Sequence, residues 1–133
     1  MALIRTVGGK EPTLTTLWTN PSPSASFTEQ TVNLSDNITN YDEIQINYVG
    51  AAGADEYYIK VKTLSPKTSA PIPCGALSYI SAAIGAGTDR ARLVMLGSAA
   101  NIIEFYQCVT ATAGSGSSHN ENCIPTSIVG VKY

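Results

Sequence analysis

The sequence predicts an all-β fold: an antiparallel β-sandwich or jelly roll of about eight or nine short strands. Three observations carry that prediction. Apolar and polar residues alternate with a period of two in segment after segment, which gives a strand one face for a core and one for solvent. Clusters of Gly, Pro, Asn and Ser interrupt these segments at about 10-residue intervals, the spacing of consecutive short strands. No stretch shows the i, i+3, i+4, i+7 apolar recurrence of an amphipathic helix.

Leu3 to Val7 and Leu14 to Trp18 are the opening strands. Gln30 to Leu34 follows, with Val32 and Leu34 on one side. Glu43-Ile44-Gln45-Ile46-Asn47-Tyr48 alternates cleanly and turns Ile44, Ile46 and Tyr48 inward. Tyr57 to Lys62 repeats the pattern, with Tyr57, Ile59 and Val61 inward and Lys60 and Lys62 outward. Ala76 to Ile84 competes as a helix, but its Tyr79-Ile80 centre and flanking glycines favour a strand or loop. Arg90 to Leu96 and Ile102 to Val109 are two apolar-rich runs joined by Gly97-Ser98-Ala99-Ala100-Asn101, a hairpin connection. Thr126 to Lys132, rich in β-branched residues, closes the chain. Trp18 and Phe27 flank the connector Asn20 to Ser26, whose prolines stiffen it, and are expected to plug the core from either side. With Ile44, Ile46, Ile59 and Val61 they form the expected core.

The chain has 133 residues, the size of one domain. Residues 1–16 read as an N-terminal arm or first strand, and 17–133 as a single sandwich. Only 14% of residues are charged, against about 25% in an average soluble protein, so Ser and Thr must supply the polar surface. Such a surface is neutral and hydrogen-bonding, suited to subunit packing or sugars. The net charge of −2 leaves no electrostatic footprint for nucleic acid. Lys60, Lys62 and Lys67 read as a solvated strand face. No run approaches the length of a membrane span, and Met1 to Val7 lacks the apolar run of a secretory signal, so no membrane insertion is expected.

Catalytic groups are scarce. His119 is the single histidine, and it lies in the Gly/Ser-rich segment Thr112 to Asn122, a poor platform for a base that must be held in place. Asp42-Glu43 and Asp55-Glu56 are adjacent pairs, and neighbours on a strand point to opposite faces, so neither pair flanks one bond. Gly85-Ala86-Gly87 lacks the Lys-Ser/Thr of a phosphate loop. Cys74, Cys108 and Cys123 are odd in number and widely spaced; they match neither a disulfide framework nor a zinc site, and read as small buried hydrophobes. No enzyme activity, cofactor or metal is therefore expected. The 112–122 segment reads as a flexible exposed loop, and Ser117, His119 and Asn120 at its tip, with Tyr58, are the candidate contact surface.

Leu17-Trp18-Thr19-Asn20-Pro21-Ser22-Pro23-Ser24-Ala25-Ser26-Phe27 leads into Gln30 to Ser35 and then Tyr41 to Ile46. The chain ends Ile124-Pro125-Thr126-Ser127-Ile128-Val129-Gly130-Val131-Lys132. Together these segments resemble the C-terminal domain of tail-fibre and other minor structural proteins of phages and prophages from Gram-positive gut bacteria. The resemblance covers about a third of the residues but frames nearly the whole domain. It implies a β-sandwich on the virion surface, commonly a homotrimer, that contacts other virion proteins of the capsid or tail and in some cases a host-surface glycan. It implies synthesis in the host bacterial cytoplasm and offers no catalytic residue. In fibres the pattern follows long upstream domains, whereas here 16 residues precede Leu17. The Met1-Ala2 start favours a small protein that docks through its own surface, with Ala2 to Val7 as an attachment arm, over an excised tip domain. The expected function is thus a non-enzymatic virion module, either fibre-type and receptor-binding or capsid-decorating. A secreted carbohydrate-binding module is the rival reading.

Overall fold

A computed structural model describes residues 11–63, 72–80, 89–97, 99–110 and 118–133. The described residues form eight strands: β1 Thr13–Thr19, β2 Gln30–Asn33, β3 Glu43–Ala51, β4 Glu56–Lys62, β5 Ile72–Ile80, β6 Asp89–Leu96, β7 Ile102–Thr110 and β8 Asn122–Lys132. A single 3-10 turn, Ile38–Asn40, is the one helical piece among the described residues. The expected opening strand Leu3 to Val7 lies outside the described residues.

The strands make two four-stranded antiparallel sheets, in the orders β1-β8-β3-β4 and β2-β7-β6-β5. First pairs with last and second with second-last, the wrapped arrangement of a jelly roll. The middle of the chain departs from that pattern: β3–β4 and β5–β6–β7 stay hairpin neighbours within one sheet. The all-β sandwich expected from periodicity is the observed architecture.

The alternation in β3 does what the sequence pattern predicts. Ile44, Ile46 and Tyr48 are buried and the residues between them are half-buried. They face Leu77, Val94, Leu96, Ile103 and Phe105 of the other sheet in one apolar cluster. Of the expected core, Phe27, Ile44 and Ile46 are buried, and Trp18, Ile59 and Val61 pack partly exposed against the cluster. Ile59 and Val61 are less covered because β4 is an edge strand with one neighbour. Tyr57, expected inward, keeps 43% of its surface exposed for the same reason.

The closing strand fills the slot between β1 and β3. Gly130 is required there: a Cβ at this position would lie 2.6 Å from the ring of Tyr41, which covers that end of the core. The ring is held by its hydroxyl, which donates to Asp36 Oδ2 at 2.9 Å. Asp36 also accepts from the Asn37 amide at 2.8 Å and the Asn40 side chain at 2.9 Å. Those bonds, the Asn37 amide first, hold the Asp36 carboxyl below its ordinary value of 3.8. A depressed folded value means the stabilisation is present above pH 3.8 and is lost as pH falls through the folded value. Acid titration of the melting temperature should therefore show a decline below about pH 4 that Asp36→Asn reduces.

Candidate functional site

A surface recess among the described residues lies beside the edge strand β1 of one sheet and the edge strand β2 of the other. The C-terminal end of β1 supplies Trp18, the connector supplies Asn20, Pro21, Ser22, Ser26 and Phe27, and β2 supplies Gln30 to Asn33. They enclose about 480 Å³, within the usual range of small-ligand pockets. None of these lining side chains is ionisable. A smaller groove of about 290 Å³ continues along β2, where Glu29, Gln30, Thr31, Glu104, Phe105 and Tyr106 line it.

The recess has a rigid floor. Asn20 is buried and bonded at both ends of its amide: its Nδ2 donates to Pro125 O at 2.8 Å, and its Oδ1 accepts from the Ser22 amide at 2.8 Å. The Asn20 amide itself donates to Thr126 O at 2.8 Å. The Asn-Pro-Ser connector is thereby tied to the closing strand, although the two segments are more than 100 residues apart in sequence. Trp18, Phe27 and Phe105 form an aromatic trio with ring centroids 5.4 to 6.0 Å apart, Phe27 edge-on to both others. That geometry is the favourable one for rings, and it fixes the indole at the recess wall. Trp18 and Phe27, expected to plug the core from either side, instead meet edge to face at one place, and together they wall the recess.

The expected contact residues do not converge. Ser117 lies outside the described residues. The described part of the 112–122 segment is not a free loop tip but folds back on β7: Ser118 bridges to Val109, and the His119 amide donates to Cys108 O at 2.6 Å. Asn120 Oδ1 accepts from the Cys108 amide at 3.1 Å, and Asn120 O accepts from the Phe27 amide at 2.9 Å. Asn120 thus buttresses the aromatic trio. His119 is half-buried, with Nδ1 3.3 Å from Glu121 Oε1. Tyr58 stands on β4, three strands from β1, 61% exposed with the Lys60 ammonium 6.0 Å from its ring centroid.

Tyr58 belongs to a second surface, the outer face of the β1-β8-β3-β4 sheet. Register places Tyr58, Asn47 and Ser127 in one row, and Lys60, Gln45, Val129 and Thr16 in the next. Gln45, Asn47 and Ser127 are joined by hydrogen bonds of 2.8 and 2.9 Å. Charges are sparse on this face, with Lys60 beside Gln45 and Glu43 paired with Lys62 in the following row.

A polar cluster that periodicity does not show lies in the interior. The Arg92 side chain is 0% exposed, and Nε, Nη1 and Nη2 donate to the carbonyls of Cys123, Tyr106 and Asn122 at 2.9, 2.7 and 3.1 Å. Its guanidinium lies 5.3 Å from the Phe27 ring centroid. Burial pulls its pKa below the ordinary guanidinium value, while the neighbouring Cys108 and Cys123 oppose that. Arg90 is also buried, donating to Asn122 Oδ1 and Thr110 Oγ1 at 3.2 Å. Cys108 and Cys123 are buried beside these arginines, as small apolar residues would be.

Among the described residues no group of three or more His, Cys, Asp or Glu is arranged to hold a metal ion, and no helix is long and apolar enough to cross a membrane. No family model and no curated protein matches the chain.

Proposed function

We propose that this chain is a non-enzymatic structural and host-contact module of a bacteriophage particle, and that the Trp18 recess is its contact site for neutral saccharide. One observation carries the reading. The two segments that resemble phage structural proteins, Leu17 to Phe27 and Ile124 to Lys132, meet in space through Asn20, and the first of them, held in this way, walls the recess with β2.

The chemistry of the lining supports the ligand class. An indole offers an apolar ring surface for the C–H face of a sugar, while amides and hydroxyls pair with its hydroxyls. A phosphate or nucleic acid would require cations, and the recess has none. Hydrolysis would require positioned carboxylates, and it has none of those either. The outer face of the β1-β8-β3-β4 sheet, where Leu14 and Tyr58 are more than half exposed, is the surface proposed to pack against other virion subunits in a homotrimer.

Trp18 is the single tryptophan, so its emission reports on the recess directly. Titration with neutral oligosaccharides released from the host wall should shift that emission saturably. Asn33→Ala should weaken binding about fivefold, the worth of one hydrogen bond, without changing the melting temperature. An unresponsive indole with every host fraction defeats the saccharide assignment. Absence of the chain from purified particles by mass spectrometry defeats the virion assignment, and saccharide binding without particle association selects the carbohydrate-binding module.

A further inference from the structure

The recess does not end at the Trp18 side chain. It shares Gln30 and Thr31 with the groove that Glu29, Glu104 and Tyr106 line, so the two depressions form one cleft along β2. Strand register accounts for the second half. Phe105 is buried, so its neighbours Glu104 and Tyr106 turn to the outer side of β7. Thr31 stands opposite Glu104, and Asn33, two residues on, points the same way. The lining covers all of β2, about 10 Å at the rise of a strand, and reaches Glu29 beyond it, a length greater than one sugar ring.

The two halves differ in charge. No ionisable side chain lines the Trp18 half, whereas Glu29 and Glu104 line the other, with no cation among its lining residues. Tyr106 is 36% exposed and gives that half an aromatic surface of its own. β7 is paired on both sides, to β2 and to β6, so Glu104 and Tyr106 stand on the rigid middle of a sheet.

We propose that the cleft takes a linear, non-anionic glycan of at least two sugar units laid along β2, with one ring against Trp18 and the next against Tyr106. The assignment rests on the saccharide reading of the Trp18 recess and extends it to chain length and charge. A tyrosine ring offers the second sugar the same kind of apolar surface that the indole offers the first. The carboxylates of Glu29 and Glu104 accept hydrogen bonds from its hydroxyls, and bonds to an ionised acceptor are stronger than those between neutral groups. The same carboxylates disfavour a phosphate or a uronate in the groove, because like charges brought together without a cation repel. Gln30 and Thr31, common to both halves, face the linkage between the two sugars.

The test uses the whole chain and two sets of host-wall oligosaccharides: neutral ones separated by size, and the anionic ones of the same wall. Binding is read by calorimetry and by Trp18 emission. Neutral disaccharides should bind about tenfold more tightly than monosaccharides, the gain of one or two further hydrogen bonds. Tyr106→Ala should reduce that preference to about threefold or less. Anionic oligosaccharides should not bind the unaltered chain at concentrations where neutral ones saturate it, and Glu29→Gln combined with Glu104→Gln should admit them. Equal affinity for one sugar and for two overturns the extended cleft while the saccharide reading of the Trp18 recess stands. Anionic and neutral chains binding equally well overturns the charge selection. An indole and a calorimeter silent with every fraction remove both readings together. The size series and the anionic fraction, measured on the unaltered chain, decide the outcome even where a variant fails to fold.

Discussion

Arg92→Met should cost about 3–5 kcal/mol of unfolding free energy, read as a lower urea midpoint with an unchanged slope. Methionine replaces the aliphatic stem of arginine at similar length, so little volume is lost. What disappears is the set of donors that satisfies the carbonyls of Cys123, Tyr106 and Asn122. Buried ion pairs can be exchanged for apolar residues without loss when both partners are replaced. That exchange is closed here, because the acceptors are backbone and stay whatever the side chain. Each orphaned carbonyl costs about 1–3 kcal/mol, partly relieved by water or local relaxation. Arg92→Lys should recover less than half of the loss, since one ammonium cannot span three carbonyls that a planar guanidinium reaches together. Equal stability of Arg92→Met and the unaltered chain would mean that these carbonyls find other donors.

Phe105→Ala is the other large expected effect, at about 3–5 kcal/mol. Phe105 is 0% exposed and packs against both Trp18 and Phe27. Truncation leaves a cavity at the centre of the trio, and the edge-to-face contact of the two rings is lost with it. The effect extends beyond stability, because Phe105 backs the indole that walls the recess. Trp18 emission should move to longer wavelength in the folded variant, and saccharide affinity should fall further than it does for Asn33→Ala. A destabilised variant with unaltered Trp18 emission would show that the indole is held by Phe27 and the connector alone.

Much of the architecture was legible because it is local. The inward set Ile44, Ile46 and Tyr48 follows from a two-residue period, and the Gly97 to Asn101 connection follows from its composition. β-branched residues after Pro125 announce the last strand. Less legible was β6, which reads as an apolar run yet turns Arg90 and Arg92 inward. A guanidinium is tolerated inside only where carbonyls await it, and these come from residues 14 to 31 positions away along the chain. The 118–122 turn, read as part of a mobile tip, is instead held against β7 through bonds of its own backbone and Asn120.

By itself the sequence determined that the chain forms short strands, that their apolar faces share one interior, and that few ionisable groups are present for chemistry. Those properties depend on residue type and near-neighbour spacing, and they survive any rearrangement of strand order. Tertiary structure decided that the last strand inserts between the first and third, that two sheet edges leave a neutral recess beside Trp18, and that Arg92 of one sheet reaches the carbonyls of Asn122 and Cys123 in the other. Each of these rests on pairing between distant segments, and pairing is selected by the joint packing of all eight strands rather than by the pattern within any one of them.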